Sequence, residues 1–373
     1  MRFSVRKWPQ ILAFGAVAAT VVATITVPAS GANTTTVNVV GYSVVGPALT
    51  AEETAFEATP AGQNVTFKNS IGASGTEATN VANGLPADVI NLSYWNDMEL
   101  DVQANHVPAN WAKQEATIAG VNPRIFGAKA VTTYPTAGMV TDSTVVFIVR
   151  KGNPLGITNW SQLTGSGVQI VTPNPATSGS AKWNLLGAYA AWIATKHTAN
   201  QAQNFLKSVL EHTVAQPTSG SAALSTFLAG TGNVLLDYED DALAAQKAGD
   251  AIQVVVPPQT ILIENPLALT NTGLQNPAAV AFYKYLFSVP GQQIFAGLGY
   301  RSVLKSVWNQ TKSTFAAFQK PTDLLTVVNL SGYGWPTIQP EFFGSTVTFP
   351  KNNSTHPSEG IVTYLEQFVG KAS

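Results

Sequence analysis

The chain has 373 residues, of which 45% are hydrophobic and 11% are charged, and it contains no cysteine. This apolar fraction is ample for a folded core and excludes global disorder. The absence of cysteine excludes disulfides, thiolate metal sites and cysteine nucleophiles. Twenty basic and twenty-one acidic residues nearly cancel, which argues against a nucleic-acid-binding protein with a basic stripe.

Residues 1–32 have the pattern of a secretory signal peptide. Arg2, Arg6 and Lys7 precede an apolar run from about Ile11 to Val27, and small residues follow that run. An uncleaved membrane anchor is the alternative interpretation of the same run. We therefore expect an exported protein, in a periplasm or at the outer face of the cytoplasmic membrane.

Beyond the leader, short β-branched runs alternate with helical stretches, which predicts an α/β fold with parallel sheets. The predicted strands are Val37–Val40, Val65–Phe67, Val89–Leu92, Val145–Val149, Val168–Val171, Val234–Leu236 and Ile252–Val256. The predicted helices are Thr76–Asn83, Ala181–Thr195, Gln201–Leu210, Ala222–Leu228, Asp240–Lys247, Pro277–Leu286, Pro290–Leu298 and Val362–Val369. Residues 112–137 lack periodicity and are expected to form an irregular excursion.

Three turns share one local pattern, in which a predicted strand is followed by a Ser-Gly turn and then by a helix. The turns are Gly72–Thr76, Thr177–Ala181 and Thr218–Ala222. Serine is a preferred N-cap residue, and a glycine after it leaves the backbone amides uncovered. Glu77 follows Ser74 by three residues, which predicts a capping box.

Such turns are candidate anion sites. The first turn of a helix leaves up to four N–H groups without an intrahelical partner, and the helix dipole adds about half a positive charge there. Open α/β sheets bind ligands outside the carboxyl ends of their strands, where all three turns are predicted to lie. The pattern favours a buried anion held by uncharged donors, with ordinary helix capping as the alternative.

Other chemistries have less support in the sequence. The four histidines, His106, His197, His212 and His356, do not have metal-ligand spacing. There is no Gly-x-Ser-x-Gly nucleophile motif, no phosphate-binding P-loop and no dinucleotide-binding glycine pattern. The acidic run at residues 239–241 opens a predicted helix, which is typical of dipole compensation. We therefore expect no enzymatic activity, no cofactor and no metal.

At these same turns the chain resembles the periplasmic sulfate/thiosulfate-binding proteins of ABC transporters. The resemblance is strongest over Val146–Pro154 and over Val171–Gly179, and it includes Trp183-Asn184. It implies a two-lobed, type II periplasmic-binding-protein fold with the ligand between the lobes. In that fold, residues 33–143 and 262–345 would form lobe one, residues 144–261 would form lobe two, and residues 346–373 would be a C-terminal extension.

The resemblance also implies which residues contact the ligand. Tyr238 stands where the family has a tryptophan donor, and Ser43 stands where it has an aspartate. Asp97 matches a second family aspartate and is expected to bond hydroxyl or backbone groups rather than the ion. The implied ligand-binding residues are Ser43, Ser74, Ser178, Gly179, Ser180, Gly220 and Tyr238, with Asp97 behind them. Ser180, Lys182 and Ser221 depart from the family pattern, which leaves the exact ligand open.

Proton content separates the possible ligands. Sulfate carries no proton near neutral pH and suits a site of pure donors, whereas hydrogen phosphate also needs an acceptor. We therefore expect a solute-binding protein that captures sulfate or thiosulfate and works as a monomer with an ABC permease and ATPase. The alternatives are a phosphate-, molybdate- or tungstate-binding protein of the same fold, a secreted serine hydrolase, and a surface protein with a vestigial pocket.

Overall fold

A computed structural model describes residues 34–121, 138–316, 323–331, 334–344 and 359–372. In these ranges the strands join in one sheet, and helices pack against it. The strands are β1 (Thr35–Tyr42), β2 (Val65–Gly72), β3 (Val89–Asn91), β4 (Met139–Arg150), β5 (Ile170–Val171), β6 (Thr213–Ala215), β7 (Val234–Tyr238), β8 (Ile252–Val255), β9 (Gln259–Leu269), β10 (Arg301–Ser302) and β11 (Asp323–Leu325). The predicted leader, residues 1–32, lies outside the described residues.

Helix ends coincide with sequence signals at several places. Thr198 and Gln201 form a capping box at the start of one helix, and Asn276 caps another that begins at Pro277. The helices are α1 (Gly46–Glu57), α2 (Ser74–Ala82), α3 (Trp95–Gln103), α4 (Gly179–Ala194), α5 (Ala199–Glu211), α6 (Gly220–Leu228), α7 (Glu239–Ala248), α8 (Pro277–Leu286), α9 (Val289–Gly297), α10 (Lys305–Thr311), α11 (Val327–Ser331), α12 (Trp335–Phe343) and α13 (Ile361–Leu365). Among the described helices, none combines the length and the apolar character required to cross a bilayer.

The predicted strands and helices are present, with ends that differ by a few residues. The structure also has elements that the sequence patterns did not predict, among them α1, α3 and the long strand β9. The expected excursion opens with a 3-10 turn at Trp111–Lys113 and a π-helical turn at Glu115–Ala119, and residues 122–137 lie outside the described ranges. In the C-terminal extension, the predicted last helix is α13 with a 3-10 turn after it, and residues 346–358 are not among those described.

The sheet is mixed, which corrects the prediction of parallel sheets. Its strands lie in the order β2-β1-β3-β9-β4-β7-β5-β6. The strands β1, β2 and β3 pair in parallel, and so do β5, β6 and β7. The long strands β4 and β9 lie between these two groups and pair antiparallel with each other and with both groups. Alternation of strands and helices along the chain does not reveal such connecting strands.

Both long strands change partners at the same level of the sheet. Strand β4 pairs with β9 as far as Thr144, and from Val145 onward it pairs with β7. Strand β9 pairs with β11 as far as Ile261, and from Leu262 onward it pairs with β4. Thr144 lies opposite Leu262. The predicted lobe boundaries at 143/144 and 261/262 therefore fall on neighbouring positions of two paired strands, although the two lobes themselves stay a prediction.

Strand β4 packs against an apolar cluster on each of its two faces. In β4, Val145, Phe147 and Val149 face one apolar cluster, whereas Val146 and Ile148 face another. Both faces of this strand are therefore covered, as its unbroken apolar run predicts.

The carboxyl ends of the parallel strands position the polar residues of interest. Beyond the ends of these strands, the chain turns into the starts of α2, α4 and α6.

Candidate functional site

Three helices begin at the predicted Ser-Gly turns. Helix α4 begins at Gly179 with Ser178 as its N-cap, and α6 begins at Gly220 with Ser219 as its N-cap. The Ser219 hydroxyl accepts a hydrogen bond from Ala222 N–H at 3.2 Å, whereas the Ser178 side chain makes no such bond. The first turns of α4 and α6 contain no acidic residue. These two helix starts therefore have N–H groups without intrahelical partners, and their first turns carry no acidic side chain.

The capping box predicted at the first turn is wrong. Helix α2 begins at Ser74 itself, its N-cap is Ala73, and no side chain caps it. The Glu77 carboxylate accepts from the Ser70 hydroxyl at 2.7 Å. The Ser74 hydroxyl donates to Asp97 at 2.5 Å, so a tertiary carboxylate competes successfully with local capping.

The structure brings the three turns together. Gly75 N–H, in the first turn, donates to the Thr177 carbonyl of the second turn at 3.0 Å. The Thr177 hydroxyl donates in turn to the Thr218 carbonyl of the third turn at 2.8 Å. A β-carbon built on Gly220 would lie 3.0 Å from the Ser180 hydroxyl oxygen. The starts of α2, α4 and α6 are therefore neighbours, as an anion site shared by the three turns requires.

Ser43 lies at the edge of this group. It follows β1 directly and is partly exposed, and its hydroxyl accepts from Ser221 N–H at 3.4 Å, in the first turn of α6. The neighbouring Val44 packs close to Gly220, where an added β-carbon would lie 2.8 Å from a Val44 methyl carbon. The segment after β1 thus covers the start of α6.

Asp97, which accepts from Ser74, and Lys182 are two buried ionisable residues that act on each other electrostatically. Both side chains are almost fully buried, and Lys182 Nζ lies 4.6 Å from the centre of the Tyr94 ring. Burial raises the pKa of Asp97, and Lys182 and the hydrogen bond from Ser74 oppose that rise. Burial likewise lowers the pKa of Lys182, and Asp97 opposes that change. Each residue therefore partly offsets the cost of burying the other.

Tyr238 contributes a buried phenol to the same cluster. Its hydroxyl lies 2.7 Å from the hydroxyl of Ser93. Burial raises the pKa of Tyr238 well above its ordinary value, and Asp240 and Asp237 add to the rise. The phenol therefore keeps its proton and can donate a hydrogen bond.

Ser93 is the residue of this cluster that the sequence analysis missed. It is fully buried two residues after β3, and its N–H donates to the Ser74 hydroxyl oxygen at 2.9 Å. Its carbonyl accepts from Trp183 Nε1 at 2.8 Å. Ser93 follows a predicted strand, as Ser74 and Ser178 do, but no Ser-Gly pair marks it. The feature that could have identified Ser93 from the sequence is its position just after the carboxyl end of a predicted strand.

Two residues from the segments that carry the family resemblance, Arg150 and Asn184, make hydrogen bonds within the fold. The Arg150 guanidinium donates to the carbonyls of Phe227, Thr231 and Gly232 and lies 3.8 Å above the Phe227 ring. These contacts hold the loop after α6 against the end of β4. Asn184 in α4 similarly donates to the Leu236 carbonyl at 2.8 Å. Such contacts fix α4 and α6 relative to the sheet rather than supplying ligand donors.

Two acidic residues that open α7 also make hydrogen bonds within the fold. Arg301 makes two hydrogen bonds to Glu239, at 2.6 and 3.0 Å, and the Ser143 hydroxyl donates to Asp240 at 2.5 Å. Among the residues that the structure describes, no group of three histidine, aspartate or glutamate side chains could hold a metal ion.

Comparison with known proteins places this arrangement in a family. Residues 37–301 match the family "Bacterial extracellular solute-binding protein". The chain is 32% identical to the sulfate-binding protein of Synechococcus elongatus over 294 residues, which cover 78% of this chain and 77% of that protein. It is also 32% identical to the thiosulfate-binding protein of Pseudomonas aeruginosa, over 63% of this chain and 68% of that protein.

A solved structure extends the likeness to three dimensions. The sulfate-binding protein SubI from Mycobacterium tuberculosis superposes with a TM-score of 0.73 and 34% sequence identity, covering 83% of this chain and 99% of SubI. The α/β fold is therefore that of type II periplasmic binding proteins, as the sequence analysis predicted. The chain belongs to the bacterial extracellular solute-binding proteins, and it is a solute-binding protein whose relatives include the sulfate- and thiosulfate-binding proteins.

Proposed function

We propose that this protein captures sulfate or thiosulfate and delivers it to an ABC importer. The observation that carries the proposal is the convergence of the starts of α2, α4 and α6 on one buried group of hydroxyls and amides. Converging helix starts offer an anion many uncharged donors and a favourable dipole. The ligands named for the relatives, sulfate and thiosulfate, are anions of the kind that such donors suit.

The distribution of protons supports an anion that carries no proton of its own. Asp97 is the carboxylate that contacts Ser74 in this cluster, and it already accepts the Ser74 hydroxyl proton. Tyr238 and the amides present donors. A hydrogen phosphate ion would need an acceptor for its O–H, and an unmet hydrogen bond costs about 1–3 kcal/mol in a buried site.

The proposed ligand contacts follow from this arrangement. Because the Ser74 hydroxyl donates to Asp97, we expect Ser74 to offer the anion its backbone N–H instead. Asp97 would act behind Ser74, without touching the ion. The proposed ligand-binding residues are Ser43, Ser74, Ser178, Gly179, Ser180, Gly220 and Tyr238.

The proposed cycle has no covalent step. Residues 33–143 with 262–345 and residues 144–261 would close around the ion as two lobes, dock on a membrane permease and release it. An ABC permease and an ATPase would be the partners, and the protein would act as a monomer. It would be exported to a periplasm or to the outer face of the cytoplasmic membrane. The sheet path supports this division, since β4 and β9 link two groups of parallel strands.

Isothermal titration calorimetry at neutral pH tests the ligand. Sulfate, thiosulfate, phosphate and molybdate are titrated separately into the protein. We expect about micromolar or tighter binding of sulfate or thiosulfate, because several hydrogen bonds to a charged ligand act together, and much weaker binding of phosphate. Tighter binding of phosphate or molybdate would replace the proposed ligand, and hydrolysis of a chromogenic ester would favour a hydrolase.

Ser178→Asp tests the position of the site. A carboxylate at the N-cap of α4 would place negative charge beside the bound anion, so we expect sulfate binding to be lost. Ser225→Asp, on the exposed face of α6, adds the same charge elsewhere and should leave the affinity within about twofold. Normal sulfate affinity in Ser178→Asp would place the anion elsewhere.

A further inference from the structure

Ser93 connects four segments of the buried polar cluster. Its N–H donates to the Ser74 hydroxyl oxygen, and its hydroxyl lies 2.7 Å from that of Tyr238. Its carbonyl accepts from Trp183 at 2.8 Å and from Asn265 at 3.3 Å. These partners belong to α2, β7, α4 and β9, so one fully buried residue contacts two helices and two strands of the sheet.

The hydroxyl protons of the cluster can be assigned from these contacts. The Ser74 hydroxyl gives its single proton to Asp97 and accepts from Ser93 N–H, so none remains for a ligand. Among the described residues, the partner of the Ser93 hydroxyl is Tyr238. Within the pair itself, either direction leaves one buried proton without an acceptor. If an anion that only accepts hydrogen bonds lies beside Tyr238, the direction from Ser93 to Tyr238 gives both protons an acceptor, so it is the favourable direction in the bound state.

This direction leaves the Tyr238 proton available beyond the pair. The pair lies at the start of α4, where Ser180 is almost fully buried in the first turn. A phenol that accepts from Ser93 is free to donate to a ligand at this turn. Hydrogen bonds in such a chain polarise one another, so each donor is strengthened by the one before it.

We propose that Ser93 is a positioning residue that fixes Tyr238 as a hydrogen-bond donor to the bound anion and thereby favours anions without a proton. The inference rests on the proposed oxyanion-binding function. Without the Ser93 hydroxyl, Tyr238 can turn its proton away from the ligand and accept a hydrogen bond from it. The site then tolerates an anion that carries an O–H group, such as hydrogen phosphate.

Gly179 gives a second reason to assign Ser93 to this site. A β-carbon built on Gly179 would lie 2.5 Å from the Ser93 hydroxyl oxygen and 2.8 Å from its β-carbon. The first residue of α4 therefore leaves room for the Ser93 side chain to reach Tyr238. The hydroxyl pair sits directly beside the N–H groups that open α4.

A double-mutant cycle with Ser93→Ala and Tyr238→Phe tests the inference. Ser93→Ala keeps the backbone bonds to Ser74, Trp183 and Asn265 and removes one hydroxyl. Sulfate and phosphate affinities of the parent, both single variants and the double variant are measured by calorimetry at neutral pH. Ser225→Ala, which removes an exposed hydroxyl from α6, is the matched control and should change neither affinity by more than about twofold.

We expect Ser93→Ala to weaken sulfate binding about 5- to 20-fold and to lower the ratio of sulfate to phosphate affinity. In the Tyr238→Phe background, the same change should have little further effect, because the hydroxyl it orients is absent. Partial misfolding would lower both affinities together and leave their ratio unchanged, so the ratio reports the positioning role.

Three results would overturn the inference. One is a sulfate affinity in Ser93→Ala within twofold of the parent, another is an unchanged ratio of sulfate to phosphate affinity, and the third is an equal loss in both backgrounds. In each of these cases the parent still binds sulfate, so the proposed function survives. If the parent itself binds no oxyanion, the proposed function and this inference both fail.

Discussion

Single residues at the starts of the helices decide how tightly the polar cluster can close. Gly179 has no side chain, and the Ser93 hydroxyl occupies the adjacent space. Gly220 stands in a similar place, between Val44 and the Ser180 hydroxyl. Glycine is favoured at these positions because of close packing with neighbouring side chains rather than because of an unusual backbone angle.

Gly179→Ala should therefore disrupt the site. The new methyl group would overlap Ser93, so we expect the free energy of unfolding to fall by about 1–3 kcal/mol and the affinity for sulfate to fall with it. Urea unfolding and calorimetry measure the two effects. Gly297→Ala is the control, since a β-carbon there meets nothing within 4 Å near the end of α9 and should be neutral or slightly stabilising. Equal behaviour of the two variants would refute the packing argument.

Glu52 in α1 is a buried carboxyl group with a raised pKa. Its side chain is fully buried, and burial raises its pKa from 4.5 to about 9. At neutral pH the folded protein therefore holds a proton that the unfolded chain releases. The contribution of Glu52 to stability is fully present below pH 4.5 and falls as the pH rises toward 9, by at most about 1.4 kcal/mol per pH unit.

Glu52→Gln should remove this part of the pH dependence. Urea unfolding of the parent and the variant at pH 5, 7 and 8.5 should give a difference in stability that grows with pH in favour of the variant. Glu57→Gln, at the exposed end of the same helix, should change stability by less than about 0.5 kcal/mol. A constant difference between parent and Glu52→Gln across these pH values would contradict the assignment.

At the scale of whole elements, α12 packs against residues that adjoin the candidate site. Trp335 is 1% exposed, and its ring centre lies 4.9 Å from those of Tyr94 and Trp183. Tyr94 follows Ser93 in the chain, and Trp183 donates to the Ser93 carbonyl. The helix lies beyond residue 301, where the family match ends, yet it packs against two neighbours of the candidate site.

Trp335→Ala should lower both stability and ligand affinity. We expect a loss of about 3–5 kcal/mol in the free energy of unfolding, because a large buried aromatic side chain is removed, together with weaker sulfate binding. Trp192→Ala is the matched control in the last turn of α4, about 20 Å along the helix from Gly179. It should lower stability, since Trp192 stacks on Phe205, but leave sulfate affinity unchanged. Equal effects of both variants on affinity would deny α12 this role.

Local patterns predicted many elements but not the connections between them. The run at Val145–Val149 identified a buried strand, and the Ser-Gly turns marked the starts of three helices. Strand β9 escaped prediction because Glu264, Asn265 and Pro266 interrupt its apolar pattern with residues that are depleted in strands. The Ser74 hydroxyl bonds Asp97 rather than capping α2, because a partner distant in sequence offers a charged acceptor that no local pattern shows.

For the whole molecule, β4 and β9 join the two groups of parallel strands. Thr260 in β9 donates to the Val145 carbonyl of β4 at 2.5 Å, next to the level at which both strands change partners. Both residues are fully buried. This side-chain bond reinforces the junction where the regular ladder between the two strands ends.

Thr260→Val should weaken the junction without changing its volume much. Loss of a buried hydrogen bond should lower the free energy of unfolding by about 1–2 kcal/mol in urea unfolding. Thr54→Val removes a similar bond on the exposed face of α1 and should cost less than about 0.5 kcal/mol. Indistinguishable losses would mean that the Thr260 hydroxyl adds nothing to the junction.

The shared level of partner exchange has a mechanical consequence. A rotation of one strand group relative to the other about this level would alter strand twist while leaving the backbone ladders on either side intact. Resistance to that rotation comes instead from contacts such as Gly75 with Thr177 and Ser93 with Tyr238. Each hydrogen bond of this kind contributes about 0.5–1.5 kcal/mol. A bound ligand that adds several more would therefore control whether the two strand groups stay in contact.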